Sequence, residues 1–295
     1  YNYYCKTYLK VLIINFAKED DRIRAVYMNG SRTNPHVPKD IFQDYDVVYV
    51  VSETLPFIED KVWINEFGQL IMMQEPDNND FGWGKELDFS KSYSFLMLFS
   101  DGNRIDLRFQ TKEVMVEEYG KDKLTLPLID KVGILPLIPA PCDSDYYVKK
   151  PSLNEYNGVT NEFWWCLQNV AKGIWRDELP YAKLMFEQTV RKSLDQMVAW
   201  WIGMQHDYQV SPGKLGKYFR NYLPVSYWEM YKETYSNSDY RYMWESIFIS
   251  CKLFRMLSED VAKHFNFTYP INDDSNMTKY LKVVRDLPHD ATKIF

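Results

Sequence analysis

Residues 28–51, MNGSRTNPHVPKDIFQDYDVVYVV, end in an apolar run of the kind found in a buried strand, yet that run opens on two carboxylates, Asp44 and Asp46. Side chains alternate along an extended strand, so Asp44 and Asp46 project to one face while Tyr45 and Val47 take the other. Two neighbouring like charges repel, and burial strengthens the repulsion, so something positive must compensate them. A divalent cation meets that need. Mg²⁺ prefers hard oxygen ligands, commonly one or two protein carboxylates together with substrate phosphates.

Upstream, Gly30-Ser31 falls where the strand RIRAVYMN (22–29) gives way to a turn. Glycine lets the backbone approach a ligand closely, and the N–H groups around such a turn can hold phosphate. Downstream, NRIDLRF (103–109) places Ile105, Leu107 and Phe109 on a core face and Asp106 on the polar face. Asp106 joins the first two acids if the strands are neighbours. Each feature has a plainer alternative: Gly-Ser-Arg is an ordinary turn, Asp-Tyr-Asp a solvated strand start, and Asp106 a partner for Arg104 or Arg108. Their order is more specific than any one of them: Gly-Ser at a strand end, twelve residues, Asp-x-Asp opening a buried strand, then an acid on a later strand.

The flanking chain reads as α+β. KTYLKVLIINFA (6–17) has the pattern of an amphipathic helix. DYDVVYVV (44–51) is too apolar for an edge strand and is expected at the centre of a sheet. LIMMQ (70–74), SFLMLFS (94–100) and 103–109 supply further strands, the last two joined at Asp101-Gly102, a hairpin signal. Pro127, Pro136, Pro139, Pro141 and Pro151 preclude regular helix and mark a surface connection, so the expected domains are 1–140, a mixed sheet with helices, and 141–295, a helical bundle. In the second, Phe163, Leu167, Val170 and Ile174 recur at helical spacing, as do Val190, Leu194, Met197 and Trp201, and then Trp244, Ile247, Cys251 and Phe254.

Composition narrows the function classes. With 46% hydrophobic and 17% aromatic residues in 295, the chain is globular. Its net charge of −6 resides in residues 1–150, which hold 24 acids and 18 bases, against 17 of each beyond. That balance disfavours nucleic acid as a partner. Cys5, Cys142, Cys166 and Cys251 are far apart and form neither a disulfide framework nor a zinc pattern, which fits a reducing, cytoplasmic setting. No secretory leader pattern opens the given sequence, which starts at Tyr1, and no run approaches the roughly 18 apolar residues of a membrane helix. There is no P-loop: Gly213-Lys-Leu-Gly-Lys217 has the wrong spacing. Gly82-Trp-Gly84 lacks a third glycine for a dinucleotide fold, and the four histidines form no catalytic signature.

The constellation of Gly30-Ser31, Asp44, Asp46 and Asp106 resembles the DNA polymerase β-like nucleotidyltransferase superfamily. Residues 28–51, with NEFWWCLQNVAKG (161–173) and GKLGKYFRNYL (213–223), look more closely like the aminoglycoside 6-adenylyltransferases, which inactivate streptomycin. The resemblance covers nearly the whole chain. It implies a nucleotidyltransferase domain followed by a helical substrate-binding domain, working as monomer or dimer. ATP would rest its triphosphate against Gly30, Ser31 and Arg32, Mg²⁺ would be held by Asp44 and Asp46, and AMP would pass to the 6-hydroxyl of streptomycin with release of pyrophosphate. Asp106 either completes the metal site or accepts the hydroxyl proton. Lys214 and Lys217, at the head of an expected helix, are candidates for the pyrophosphate, against a plain solvated face. Streptomycin carries two guanidinium groups, which favour carboxylates and aromatic faces. Glu86, Asp88, Asp143, Asp145, Glu162 and Trp164 are the wall candidates. The rivals are an enzyme for another aminoglycoside or a lincosamide, and a non-catalytic nucleotide-binding homologue, against which the intact acids argue.

Overall fold

The computed structural model describes the backbone of residues 2–295 and the side chains from Tyr8 onward; the Cys5 thiol and the side chains at the start of the first expected helix lie outside what is described. The chain divides into two compact units between Asp145 and Tyr146.

The first unit begins with helix α1 (Asn2–Glu19), followed by strands β1 (Ile23–Asn29) and β2 (Tyr45–Val51) and the short helix α2 (Leu55–Glu59). Strand β3 (Leu70–Gln74), helix α3 (Pro76–Gly82), strands β4 (Ser92–Phe99) and β5 (Arg104–Gln110), helix α4 (Lys112–Glu118) and strand β6 (Leu126–Asp130) complete it. The six strands run β3-β4-β5-β2-β1-β6. β2 is interior as its apolar run requires, antiparallel to β1 and parallel to β5, so the sheet is mixed. The β4–β5 hairpin turns at Asp101-Gly102, where Gly102 takes a φ of +82°.

The expected surface connection contains one element that proline content had hidden. Leu126–Asp130 pairs with β1 at the sheet edge, with Pro127 opposite Tyr27 at a shift in register. An edge strand tolerates proline because its missing N–H need not serve a neighbour.

The two faces of the sheet are unequally covered. Tyr45, Val47, Tyr49 and Val51 of β2 and Ile105, Leu107 and Phe109 of β5 enter a large aromatic core with Ile13, Phe57, Trp63 and Phe95. Phe57 stacks on Phe109 at 4.2 Å, and the Tyr49 hydroxyl donates to the Ile13 carbonyl. The opposite face buries only a small cluster, Ala25, Tyr27, Val48, Val50 and Met115, the last from α4. Asp46, Arg104 and Asp106 belong to this thinly covered face.

The second unit is helical: α5 (Leu153–Trp175), α6 (Leu179–Leu184), a π-helical stretch over Met185–Val190, α7 (Arg191–Gln205), α8 (Phe219–Tyr222), α9 (Val225–Glu233), α10 (Tyr240–Phe265) and α11 (Ile271–Arg285). Ser152 and Glu155 form a capping box at the start of α5. All three expected apolar stripes are buried, and Phe163 stacks on Phe254 at 3.7 Å where α5 meets α10. The helix expected from Lys214 is not there. Gly213 and Gly216 take φ of +74° and +73°, Leu215 is left-handed, and only the four residues Phe219–Tyr222 form α-helix. Successive left-handed residues are incompatible with helical propagation.

No described helix is long and apolar enough to cross a membrane, and Cys142, Cys166 and Cys251 are free thiols.

Candidate active site

Asp46 stands opposite two partners at once. Its Cα register partner on β1 is Asn29, the residue before the glycine turn, and on β5 it is Asp106. Parallel pairing in register puts Asp46 and Asp106 side by side on the same face, and Asp44 joins them just ahead of β2.

The glycine turn is shaped to this neighbour. Gly30 has a φ of +75°, and a Cβ placed there would lie 2.1 Å from the Oδ2 of Asp46. Only a residue without a side chain fits. The turn is braced from within: the Thr33 hydroxyl lies 2.9 Å from the carbonyls of both Gly30 and Leu124 and shares its one proton between them, and the Asn34 N–H donates to the Ser31 carbonyl. Asp143 then holds the loop from outside, accepting from the Asn34 amide at 3.2 Å and pairing with His36 at 2.9 Å. Burial works to raise the Asp143 pKa, yet the bonds from His36 and Asn34 leave it below the ordinary carboxylate range.

The acids themselves are electrostatically loaded. Burial, then the charges of Asp106 and Asp44, push the Asp46 carboxyl up to about 6. Asp44 is raised as well, chiefly by burial, with Arg104 opposing the shift. Arg104 is the cation that faces them. Its Nε and Nη2 each lie 2.7 Å from an oxygen of Asp106, and its Nη1 lies 3.6 Å from Asp44 Oδ2. Such a bidentate fork is among the stronger charged pairs.

Among the described residues no three His, Cys, Asp or Glu side chains converge as a ready-made metal cage. The chemistry of the donors still suits a hard cation: carboxylate oxygens on one sheet face, beside a turn where absence of a Cβ leaves room. Asp44, Asp46 and Asp106 are the residues that would hold it.

The other expected residues are placed as follows. Ser31 is half-buried in the turn. The Arg32 guanidinium lies over the Tyr45 ring at 3.6 Å and donates to the carbonyls of Gln43 and Asp44, so it pins the loop to the head of β2. Glu86 and Asp88 are exposed, and Asp88 accepts from the Ser90 N–H and hydroxyl. Asp145 pairs with Lys123 at 2.6 Å. In the second unit Glu162 is exposed on α5, whereas Trp164 is 2% exposed, edge-on to Phe163 and Phe254; it packs the core, and the neighbouring Trp165 is the exposed ring. Lys214 lies inside the turn bounded by Gly213 and Gly216 and Lys217 follows it, with Lys217 Nζ 5.1 Å from the Tyr218 ring centre.

Arg104 was not legible as a site residue, although its position two before Asp106 on a strand puts it on the same face. Gln43 was missed too; its amide nitrogen reaches the Ser31 carbonyl at 3.4 Å and braces the turn.

Carboxylates on neighbouring strands, beside a glycine turn at a strand end, are the arrangement of a nucleotidyltransferase. Comparison with known proteins makes this specific. A sequence profile described as streptomycin adenylyltransferase matches residues 6–284, and the chain belongs to that family. It is similar to an aminoglycoside 6-adenylyltransferase of Campylobacter jejuni, 36% identical over 89% of this chain and 90% of the relative. A Bacillus subtilis (strain 168) protein of the same name is 37% identical over 91% of this chain and 94% of the relative, and one from Staphylococcus aureus 32% over 92% and 95%. The crystal structure of an aminoglycoside 6-adenyltransferase from Bacillus subtilis aligns at 32% identity over 95% of this chain and 98% of that one, with a TM-score of 0.47.

Proposed function

We propose that this chain transfers AMP from ATP to an aminoglycoside, with the 6-hydroxyl of streptomycin as acceptor and pyrophosphate as the other product. The observation that carries the reading is the juxtaposition of Gly30, Asp46 and Asp106, since it joins a backbone turn fit for phosphate to a carboxylate set fit for a divalent cation. The names of the Campylobacter, Bacillus and Staphylococcus relatives supply the acceptor class and the position modified.

In this reading the N–H groups around Gly30 and Ser31 take the triphosphate, and the Ser31 hydroxyl adds a donor. Asp44, Asp46 and Asp106 hold Mg²⁺, which when bound neutralises phosphate charge. Arg32 lies beside the triphosphate and also steadies the loop: its bonds to the Gln43 and Asp44 carbonyls and its place over the Tyr45 ring tie the turn to the head of β2. Transfer of a nucleotidyl group needs orientation and charge balance more than a covalent nucleophile, so a rigid turn against a rigid strand is the protein's main contribution. Lys214 and Lys217 remain our candidates for the leaving pyrophosphate. Glu86, Asp88, Asp145 and Glu162 remain those for the drug's cations. We place the protein in the cytoplasm, where ATP is available and its free thiols stay reduced.

The test is to incubate the protein with ATP, Mg²⁺ and a panel of aminoglycosides and lincosamides and to weigh the products. A mass increment of AMP on streptomycin is the expected result. An adduct only on another drug would move the acceptor, and no adduct on any would leave a nucleotide-binding homologue.

A further inference from the structure

We propose that Arg104 is a resident counter-ion of the acid cluster, which competes with the divalent cation for Asp106 and Asp44 and so sets the concentration at which the site loads. The inference rests on the cation reading of those acids given above.

Three observations lead to it. The Arg104 guanidinium occupies both oxygens of Asp106 at 2.7 Å while a third nitrogen faces Asp44, so the oxygens a cation needs already have a donor. Asp46, side by side with Asp106 on the same sheet face, is not reached by that fork. Three acids against one guanidinium leave the face short of positive charge.

The other arginines on hand are committed elsewhere. Arg32 is fastened to two backbone carbonyls and a tyrosine ring. Arg108, next on the same face of β5, pairs with Glu118 at 3.0 Å and reaches the Ser92 hydroxyl. Arg104 is different because its side chain is 44% exposed, so the guanidinium has a route to water once a cation takes over its carboxylates. Water at the exposed guanidinium offsets part of the loss of the fork, and a cation bound to the carboxylates supplies the rest. In the cation-free protein the same pairing keeps like charges from forcing the head of β2 away from β5. Arg104 thus acts on the cation through the two carboxylates it occupies, Asp106 and Asp44.

Metal binding without nucleotide reads this directly. Titration of Mn²⁺ followed by electron paramagnetic resonance should show Arg104→Gln binding about tenfold more tightly than the unaltered protein, from removal of a neighbouring positive charge. Arg104→Lys, which keeps the charge, should stay near the original affinity. Circular dichroism and thermal melting check that each variant is folded. Equal or weaker Mn²⁺ binding by folded Arg104→Gln would overturn the proposal, since a residue that only orients Asp106 would lower affinity when lost. Should that variant not fold, the unaltered ¹⁵N-labelled protein suffices: the Arg104 Nε–H resonance should shift on saturation with Mg²⁺, and an unmoved resonance overturns the proposal. Absence of Mn²⁺ binding in every protein would remove the cation reading and this inference with it, whereas binding with unchanged affinity removes Arg104's role alone.

Discussion

A methyl group on Gly30 would lie 2.1 Å from the Oδ2 of Asp46, so the glycine turn and the central acid share one space with no room for a side chain between them. The turn also needs its φ of +75°, which disfavours L side chains by about 1 kcal/mol or more. Gly30→Ala is therefore expected to lower stability by about 1–3 kcal/mol and to abolish AMP transfer even at temperatures where the variant is fully folded. Urea unfolding and an adenylylation assay measure the two effects separately. A folded variant with near-normal turnover would show that the turn does not approach the nucleotide.

Asp46 imposes a pH-dependent penalty on the fold. Its carboxyl is held at about 6, above the 3.8 of an exposed aspartate, so between those values the folded protein holds a proton that the unfolded chain has lost. Stability consequently falls as pH rises from about 4 to 6, and the cost stays in place above that range. Asp46→Asn should then be inactive yet more stable than the original by about 2–3 kcal/mol at pH 8, with the gain fading toward pH 4. Melting curves across pH check this; a constant difference at every pH would refute the assignment.

Asp106 faces the same space as Asp46 by register, which favours a cation ligand over a proton acceptor. Asp106→Asn is expected to weaken Mn²⁺ binding at least tenfold as well as to stop turnover. A proton acceptor would behave differently: turnover would drop while Mn²⁺ affinity held.

The helical unit has its own fixed charge pair. Asp274 is 1% exposed and accepts from Arg255, from the Tyr269 hydroxyl at 2.8 Å and from the Thr278 hydroxyl at 3.0 Å, tying α11 to α10. Removing the carboxylate leaves a guanidinium and two hydroxyls without their acceptor. Asp274→Ala should cost about 3 kcal/mol, read as a lowered urea midpoint. A change below about 1 kcal/mol would mean the pair is easily replaced by water.

Periodicity carried most of the fold. Alternation along 44–51 and 103–109 sorted core residues from acids, and the stripes at 163–174, 190–201 and 244–254 marked helices that are buried where expected. Such patterns are local, because a side chain's direction depends only on its own segment's geometry. Local conformational preference also explains the two misreadings. Prolines hid the edge strand Leu126–Asp130, and a basic, aromatic stretch concealed that Gly213 and Gly216 turn left-handed.

The amino acids alone thus specified which groups could do chemistry: a glycine at a strand end and three acids on polar faces. Their meeting was decided by the parallel register of β2 and β5, which sets Asp46 against Asp106, and by the β1–β2 pairing, which brings Gly30 onto Asp46. Register between strands separated by more than fifty residues is settled by packing of the aromatic core on the far side of the sheet, where a shift of one residue would turn every buried ring outward. The same register brings Arg104, already paired with Asp106 two residues along β5, to within 3.6 Å of Asp44, a contact that spacing along one strand cannot announce.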